Sequence, residues 1–285
     1  MTDDVLYGAI DCHVHTAPDL VERYQTDLAL AREAIQAGMR GVVVKSHVLP
    51  TVGRVDQVNE ALGATVLHGG VALNGTVGGL NPDAVETALE LGARIVWLPT
   101  AWAANHASQA RAAGRSRFVG QRVPGSDEEI RVARDGEVTE ATQRVVNLVA
   151  EHDATLGTGH ASPEEIDAVV EACDAAGVRC LVNHPCFRLV DLPLERQVAL
   201  AERGAVMEYC AYAVESTPDH SVDRLARAVN RIGPERCLLA TDYGQAENAA
   251  VSGLATFARE VQEAGVPREA VRTMLTETPA RVLGL

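Results

Sequence analysis

The residues able to do chemistry in this 285-residue chain share one habit: they fall where apolar stretches end. His13 and His15 close GAIDCHVH, Lys45 and His47 close GVVVKSH, and Asn74 closes GGVALN. His160 closes TLGTGH, His184 closes RCLVNH, Glu208 lies within GAVMEYC, and Asp242 follows CLLAT. In an extended chain alternate side chains share a face, so His13 and His15 point the same way, about 7 Å apart. Neutral imidazoles and a carboxylate are donors that divalent metals take. A lone histidine pair at a strand end is equally well explained by hydrogen bonds to its neighbours. A metal site requires that distant segments bring the other donors alongside.

The elements between these residues supply that requirement. AGMRGVVVKSH, LGATVLHGGVALN, LGARIVWLPT, AGVRCLVNHP and RGAVMEYCAY each leave a helical segment through a glycine and enter an apolar run. Glycine suits the left-handed residue at a helix C-terminus, and a short Val-, Leu- and Ile-rich run suits a strand covered on both faces. HDATLGTGH and PERCLLATD carry the run without that glycine. With GAIDCHVH they make eight strands. Amphipathic segments such as TDLALAREAIQAG, NPDAVETALELG, SPEEIDAVVEACDAAG and LERQVALAERG lie between them. Several open on Asn, Asp or Ser followed by Pro, an N-cap with proline in the first turn. Eight alternations of strand and helix predict an α/β fold, a (β/α)8 TIM-type barrel formed by residues 1–285 as one domain. The competing open doubly wound sheet lacks its G-x-G-x-x-G fingerprint.

One interval is long. Residues 99–139 separate strand four from its helix, and RSRFVGQRV with EEIRVARDGEVTE reads as a small hairpin turning at Asp135-Gly136. An insertion after a barrel strand stands over the active-site mouth, so a lid is expected. PREAVRTMLTETPARVLGL reads as closing helices. In a barrel the strand C-termini ring one mouth. Five of the nine histidines (His13, His15, His47, His160 and His184) fall there with Lys45, Asn74, Thr100, Glu208 and Asp242. A ring of imidazoles with a carboxylate is a metal site.

Composition excludes other classes. A net charge of −14 argues against nucleic acid or an anionic membrane as partner. No apolar run approaches the roughly 20 residues of a membrane span. The acidic MTDDVLYGAID does not read as a secretory signal, so a cytoplasmic location is expected. The six cysteines form no C-x-x-C pair and read as small buried hydrophobes; Cys186 and Cys210 follow His184 and Glu208 by two residues but fit the core better.

The order His13-x-His15, His160, His184 and Asp242 resembles the amidohydrolase superfamily of metal-dependent hydrolases, over the whole barrel. TDYGQ, KSH and GGLNP further resemble a poorly characterised branch with no substrate attached. The resemblance implies a divalent cofactor, one or two ions of Zn, with Mn or Fe as alternatives. It implies that His13, His15 and Asp242 hold the more buried ion. His160 and His184 would hold a second ion, or one of them would bind substrate. Asp242 would take a proton from metal-bound water and pass it to the leaving group, with His184 the other catalytic residue. Many two-metal members bridge their ions from strand four, but ARIVWLPT offers no such residue. Lys45, as a carbamate, is the substitute expected to complete the metal set.

The remaining candidates for substrate contact are His47, Asn74, His106, Glu208, Tyr243 and Gln245. His106 is expected in the long loop, reaching the site or merely solvated. Arg115, Arg117 and Arg122 could bind a substrate carboxylate, although a solvated loop is the ordinary explanation. His68 reads as a core residue, and His152 and His220 as surface residues. The function expected is hydrolysis of an amide, imide, lactone or related ester bond in a small molecule. The alternative is a one-metal lyase decarboxylating a small acid. Barrels of this type often pair, so a homo-oligomer is also considered.

Overall fold

The computed structural model describes residues 4–217 and 221–285. His220 lies outside them. Among the described residues thirteen strands form: β1 (Ile10–Val14), β2 (Gly41–Val44), β3 (Leu67–His68), β4 (Gly70–Ala72), β5 (Ile95–Trp97), β6 (Arg117–Phe118), β7 (Gln121–Arg122), β8 (Ala133–Arg134), β9 (Glu137–Val138), β10 (Thr155–Gly157), β11 (Arg179–Asn183), β12 (Val206–Cys210) and β13 (Cys237–Ala240). All but β6 to β9 pair in parallel, in the orders β1-β2-β3 and β13-β12-β11-β10-β5-β4. Nearly every residue in them is buried, as parallel strands flanked by helices require.

Two junctions make these sheets one barrel. β3 and β4 are a single strand jointed at Gly69, where a Cβ would lie 2.6 Å from the Val52 Cα of the preceding helix. Thr51 stitches this joint, its hydroxyl accepting from Gly70 N at 2.9 Å and donating to Val44 O at 2.7 Å. At the other junction Asp242 N donates to His13 O at 2.8 Å, and His15 N donates to Tyr243 O at 2.7 Å. Eight strands therefore close into the expected (β/α)8 barrel, and the closing bonds are made by the candidate metal residues themselves.

The outer helices are α1 (Asp27–Gln36), α2 (Val52–Leu62), α3 (Pro82–Glu90), α4 (Ala104–Ala112), α5 (Glu140–Glu151), α6 (Pro163–Ala176), α7 (Leu194–Glu202), α8 (Ala211–Glu215), α9 (Val222–Ile232), α10 (Ala250–Glu263), α11 (Arg268–Leu275) and α12 (Glu277–Leu283). Their starts follow the local sequence. Asn81 caps α3 ahead of Pro82, and Ser162 and Glu165 form a reciprocal capping box on α6, which Gly177 ends at φ 68°. Among the described residues no helix is long and apolar enough to cross a membrane.

The insertion differs from its expected form. It contains helix α4 and two hairpins, β6–β7 and β8–β9, where one hairpin was expected. The Asp135-Gly136 turn forms as read, with φ of 51° and 85°. The missed hairpin turns at Val119-Gly120, with φ of 41° and 78°; valine carries no turn signal, so the pattern of residues hid it.

Candidate metal centre

Asp11 organises the floor of the site. Its carboxylate accepts from His13 N and Thr241 N, both at 3.1 Å, and from the Thr241 hydroxyl at 2.7 Å. β1 is thereby pinned to β13, and His13 to Asp242. Burial outweighs these bonds and raises Asp11 to about 7. Asp11 is not among the residues expected at the site, although it shares the parity of His13 and His15 inside an apolar run. The chain then turns sharply to present two further side chains: Asp242 has φ 55° and His184 φ 32°, left-handed values that cost L-residues energy and recur at functional sites.

His13 Nε2 and His15 Nε2 both lie 3.1 Å from a single atom, Asp242 Oδ1. Donors about 2.1 Å from a shared ion stand roughly 3.0–3.4 Å apart, so each of these two contacts has the separation of a pair of donors on one ion. On the opposite edge of its ring, His13 Nδ1 meets Glu208 Oε2 at 3.0 Å, and Asn183 donates to the same oxygen at 2.8 Å. An ionised carboxylate only accepts, so His13 carries its proton on Nδ1 and turns the Nε2 lone pair toward Asp242. Without a cation between them that contact is repulsive. In the bare protein a second proton relieves it: burial opposes protonation of His13, but Asp242 and Glu208 overcome it and hold the ring at about 9.

Glu208 is thus corrected from a substrate contact to a fully buried carboxylate that orients His13 from below. Cys210 is buried in the core as read, and it also borders the site: its Sγ lies 3.9 Å from His13 Nδ1, and His13, Cys210 and Asp242 form a group whose possible donor atoms fall within 4.8 Å of one another. Its position two residues beyond Glu208 was the signal.

Buried polar atoms are normally satisfied, and exceptions need an explanation. Among the described residues the barrel interior concentrates them: His13 Nε2, His15 Nδ1, His184 Nδ1, Lys45 Nζ, Glu208 Oε1 and Trp97 Nε1 have no hydrogen bond. Lys45 is completely buried, with Nζ 5.2 Å from the Trp97 ring. Its charge bears on His13, His47, His160 and His184. Burial lowers the Lys45 pKa against the pull of Asp242 and Glu208. Burial also lowers His15 and His184 to about 4, and His47 and His160 well below the usual imidazole range. These rings are neutral at pH 7, the form that ligates.

The rings interlock. His15 stacks on His47 at 4.7 Å between centroids, and His184 lies 5.1 Å from His160 and 6.0 Å from His13. His106 is on helix α4, not in a loop, and its Nδ1 is 2.6 Å from His160 Nδ1. A cavity of about 330 Å³ opens above, bounded by His13, His15, His47, His160, Asp242 and Gln245 among others. Gln245 lies at its edge as expected, with its amide donating to Asp242 O at 3.0 Å. Asn74 is corrected: fully buried, it donates to His47 O and the Thr100 hydroxyl and accepts from Thr100 N and Trp102 N, so its amide is fully used in bracing His47. Tyr243 is also corrected. Its ring packs against Gly253 on α10 and its hydroxyl donates to Glu215, away from the cavity. Of the arginines, Arg115 lines the cavity, while Arg117 donates to Gly120 O and Arg122 pairs with Glu128 over the Trp102 ring.

Solved structures share this closed parallel barrel, as the resemblance implied for the fold. An amidohydrolase from Pseudomonas aeruginosa superposes with a TM-score of 0.63 at 13% identity, over 99% of this chain and 98% of that one. A probable 2-pyrone-4,6-dicarboxylic acid hydrolase from Acinetobacter baumannii, with citric acid bound, gives 0.61 at 11% identity, over 98% and 100%. A dipeptidase described as a metallo peptidase gives 0.59 at 14% identity, over 98% and 100%. Within this fold class the chain belongs to a family of unknown function, DUF6282, whose model matches residues 8–208. No curated protein matches it in sequence.

Proposed function

We propose that the chain is a metal-dependent hydrolase that cleaves an amide, imide, lactone or related ester bond in a small molecule. The observation that carries this reading is the single oxygen, Asp242 Oδ1, set 3.1 Å from two imidazole nitrogens in a buried site crowded with unsatisfied donors and acceptors. His13, His15 and Asp242 are assigned to a divalent ion, zinc by donor type, with Cys210 beside them. Lys45, His160 and His184 form the other half of the centre. When bound, the metal supplies Lewis acidity and a nucleophile at neutral pH.

The protein's own groups do the rest. Asp242 is the member of its triangle most open to the cavity, 13% exposed against 1% and 2% for His13 and His15. It takes the proton from the attacking water and returns it to the leaving group. Glu208 holds the tautomer of His13. The segment 99–139 acts as a lid of a single catalytic domain, since Phe118 and Arg115 reach the cavity from it. The hydrolase and peptidase descriptions of the similar structures support hydrolysis. Six unpaired cysteines suit the reducing cytoplasm.

The experiment is a screen of lactones, amides and imides on zinc-loaded protein, followed by Asp242→Asn on whichever substrate turns over. A rate loss of about 10²–10⁴-fold with metal still present is expected. Loss of less than about tenfold would remove Asp242 from the proton transfer, and no turnover in the screen would count against hydrolysis.

A further inference from the structure

Two cavities meet above the histidines. One, of about 330 Å³, lies over the metal centre; the other, of about 230 Å³, lies behind it against His106 and Leu189. Arg115, Phe118, Phe187 and Arg188 line both, so these four side chains form the wall between them. Arg115 comes from the insertion beyond α4, and Arg188 from the turn that follows β11. Sequence-distant segments thus bring two guanidinium groups to one place, and both act electrostatically on His106 and on Tyr212.

Neither guanidinium has a carboxylate partner among the described residues. Arg117 and Arg134 lack one as well, whereas Arg54, Arg111, Arg122, Arg144, Arg179 and Arg196 each hold an acid in this chain of 39 acidic and 25 basic residues; what sets Arg115 and Arg188 apart is their shared place on the cavity wall. Arg23, which also borders the larger cavity, is paired to Asp19 at 2.7 Å and so brings no net charge. The acids on the cavity wall are Glu22 and Asp242, the latter committed to His13 and His15. Arg115 and Arg188 are exposed, so solvent screens their repulsion in the free protein. An anion bound between them would gain two charge-assisted contacts. The phenyl rings of Phe118 and Phe187 flank the same spot and favour an apolar frame next to the charge.

We propose that Arg115 and Arg188 form an anion subsite, and that the substrate is a small carboxylic acid whose carboxylate docks there while its scissile bond lies over His13, His15 and Asp242. This rests on reading the cavity as a hydrolase active site. It adds the substrate class, a carboxylate carried on an apolar carbon frame.

The test uses benzoate, benzamide and phenyl phosphate as probes, with binding measured by calorimetry on zinc-loaded and on chelator-treated full-length protein. Metal content is measured in parallel. Benzoate is expected to bind at least about tenfold more tightly than benzamide, and Arg115→Gln and Arg188→Gln are each expected to weaken benzoate about tenfold while leaving benzamide and metal content unchanged. Both residues are exposed, so the variants should fold, and an unchanged melting temperature confirms it. Benzoate binding that ignores both substitutions, or no benzoate binding at about 10 mM, overturns the subsite. Phenyl phosphate binding more tightly than benzoate overturns the carboxylate assignment. If the protein takes up no metal but benzoate still depends on both arginines, the hydrolase reading fails and the subsite stands. If metal binds and benzoate ignores the arginines, the subsite fails alone.

Discussion

The Nδ1 atoms of His106 and His160 lie 2.6 Å apart. One proton fits between them, so the two rings hold opposite tautomers. For His160 to turn an Nε2 lone pair toward the centre, its proton must sit on Nδ1 and His106 must accept it. In the proposed centre a helix of the insertion would hold a barrel histidine in its ligating form. His106→Leu is expected to weaken metal binding at the His160 half of the centre by about 10–100-fold, the usual cost of removing an outer partner. Nitrogen-15 spectra should show the His160 Nδ1 proton in the parent and its loss of a fixed position in the variant. Unaltered metal affinity and spectrum would make His106 a packing residue.

His13 gives a second prediction. It is protonated up to about 9 in the bare protein, whereas His15 and His184 are already neutral above about 4. Metal must therefore displace a proton from His13 alone of these three. Zinc binding near pH 7.5 should release about one proton, measured calorimetrically in buffers of different ionisation enthalpy, and affinity should rise about tenfold per pH unit until it levels near pH 9. Release of no proton at pH 7.5 would contradict the doubly protonated ring between Glu208 and Asp242.

The stability of the metal-stripped protein should peak near neutrality. His15, His68, His106 and His184 have folded values of about 4 against 6.5, and His47 and His160 are lowered further. Below pH 6.5 the unfolded chain binds protons at these six that the folded chain refuses, so stability falls as pH drops from about 6.5 toward 4. Asp11, raised to about 7, opposes them over the same range but is one group against six. His13, raised to about 9, contributes stability that is full below 6.5 and lost as pH rises through 9. Melting temperature against pH should therefore show a maximum near 6.5–7. A profile still rising at pH 9 would overturn these assignments.

How much of this was legible in sequence divides along physical lines. The barrel was, because glycine-ended helices and buried valine runs are local signals. So was the triangle His13, His15 and Asp242, because strand parity and strand ends fix where those side chains go. What escaped depended on where a side chain spends its hydrogen bonds. Asn74 stands at a strand end like the candidate donors, yet four hydrogen bonds to His47, Thr100 and Trp102 consume its amide. Tyr243 follows Asp242, but a left-handed turn at Asp242 sends its ring outward to α10. Asp11 escaped because its role is to brace backbone, accepting from His13 N and Thr241, which no spacing announces. The β6–β7 hairpin of the insertion was hidden by a valine in a conformation its side chain disfavours.

Lys45 carries the next prediction. An ammonium sealed among imidazoles and without a hydrogen bond is costly, and burial favours its neutral amine. A neutral amine adds carbon dioxide: the C–N bond forms, a proton leaves, and an anionic carbamate with two oxygens results. Protein prepared with zinc and carbon-13 bicarbonate should show a carbamate signal at one per chain and two zinc ions, both reduced by Lys45→Ala, which should keep one zinc. A single zinc with an unlabelled Lys45 would leave the lysine as a plain cation, and would favour decarboxylation over hydrolysis.

The most direct measurement is elemental analysis of the full chain beside its His13→Ala, His15→Ala double variant, both purified without added metal and both shown to be folded. The parent is expected to hold at least one divalent ion per chain, and the double variant to hold none at the Asp242 site, with total metal reduced by about one ion per chain. A folded double variant with the parent's full metal content would contradict the assignment of Asp242 Oδ1 and its two imidazoles as the metal centre.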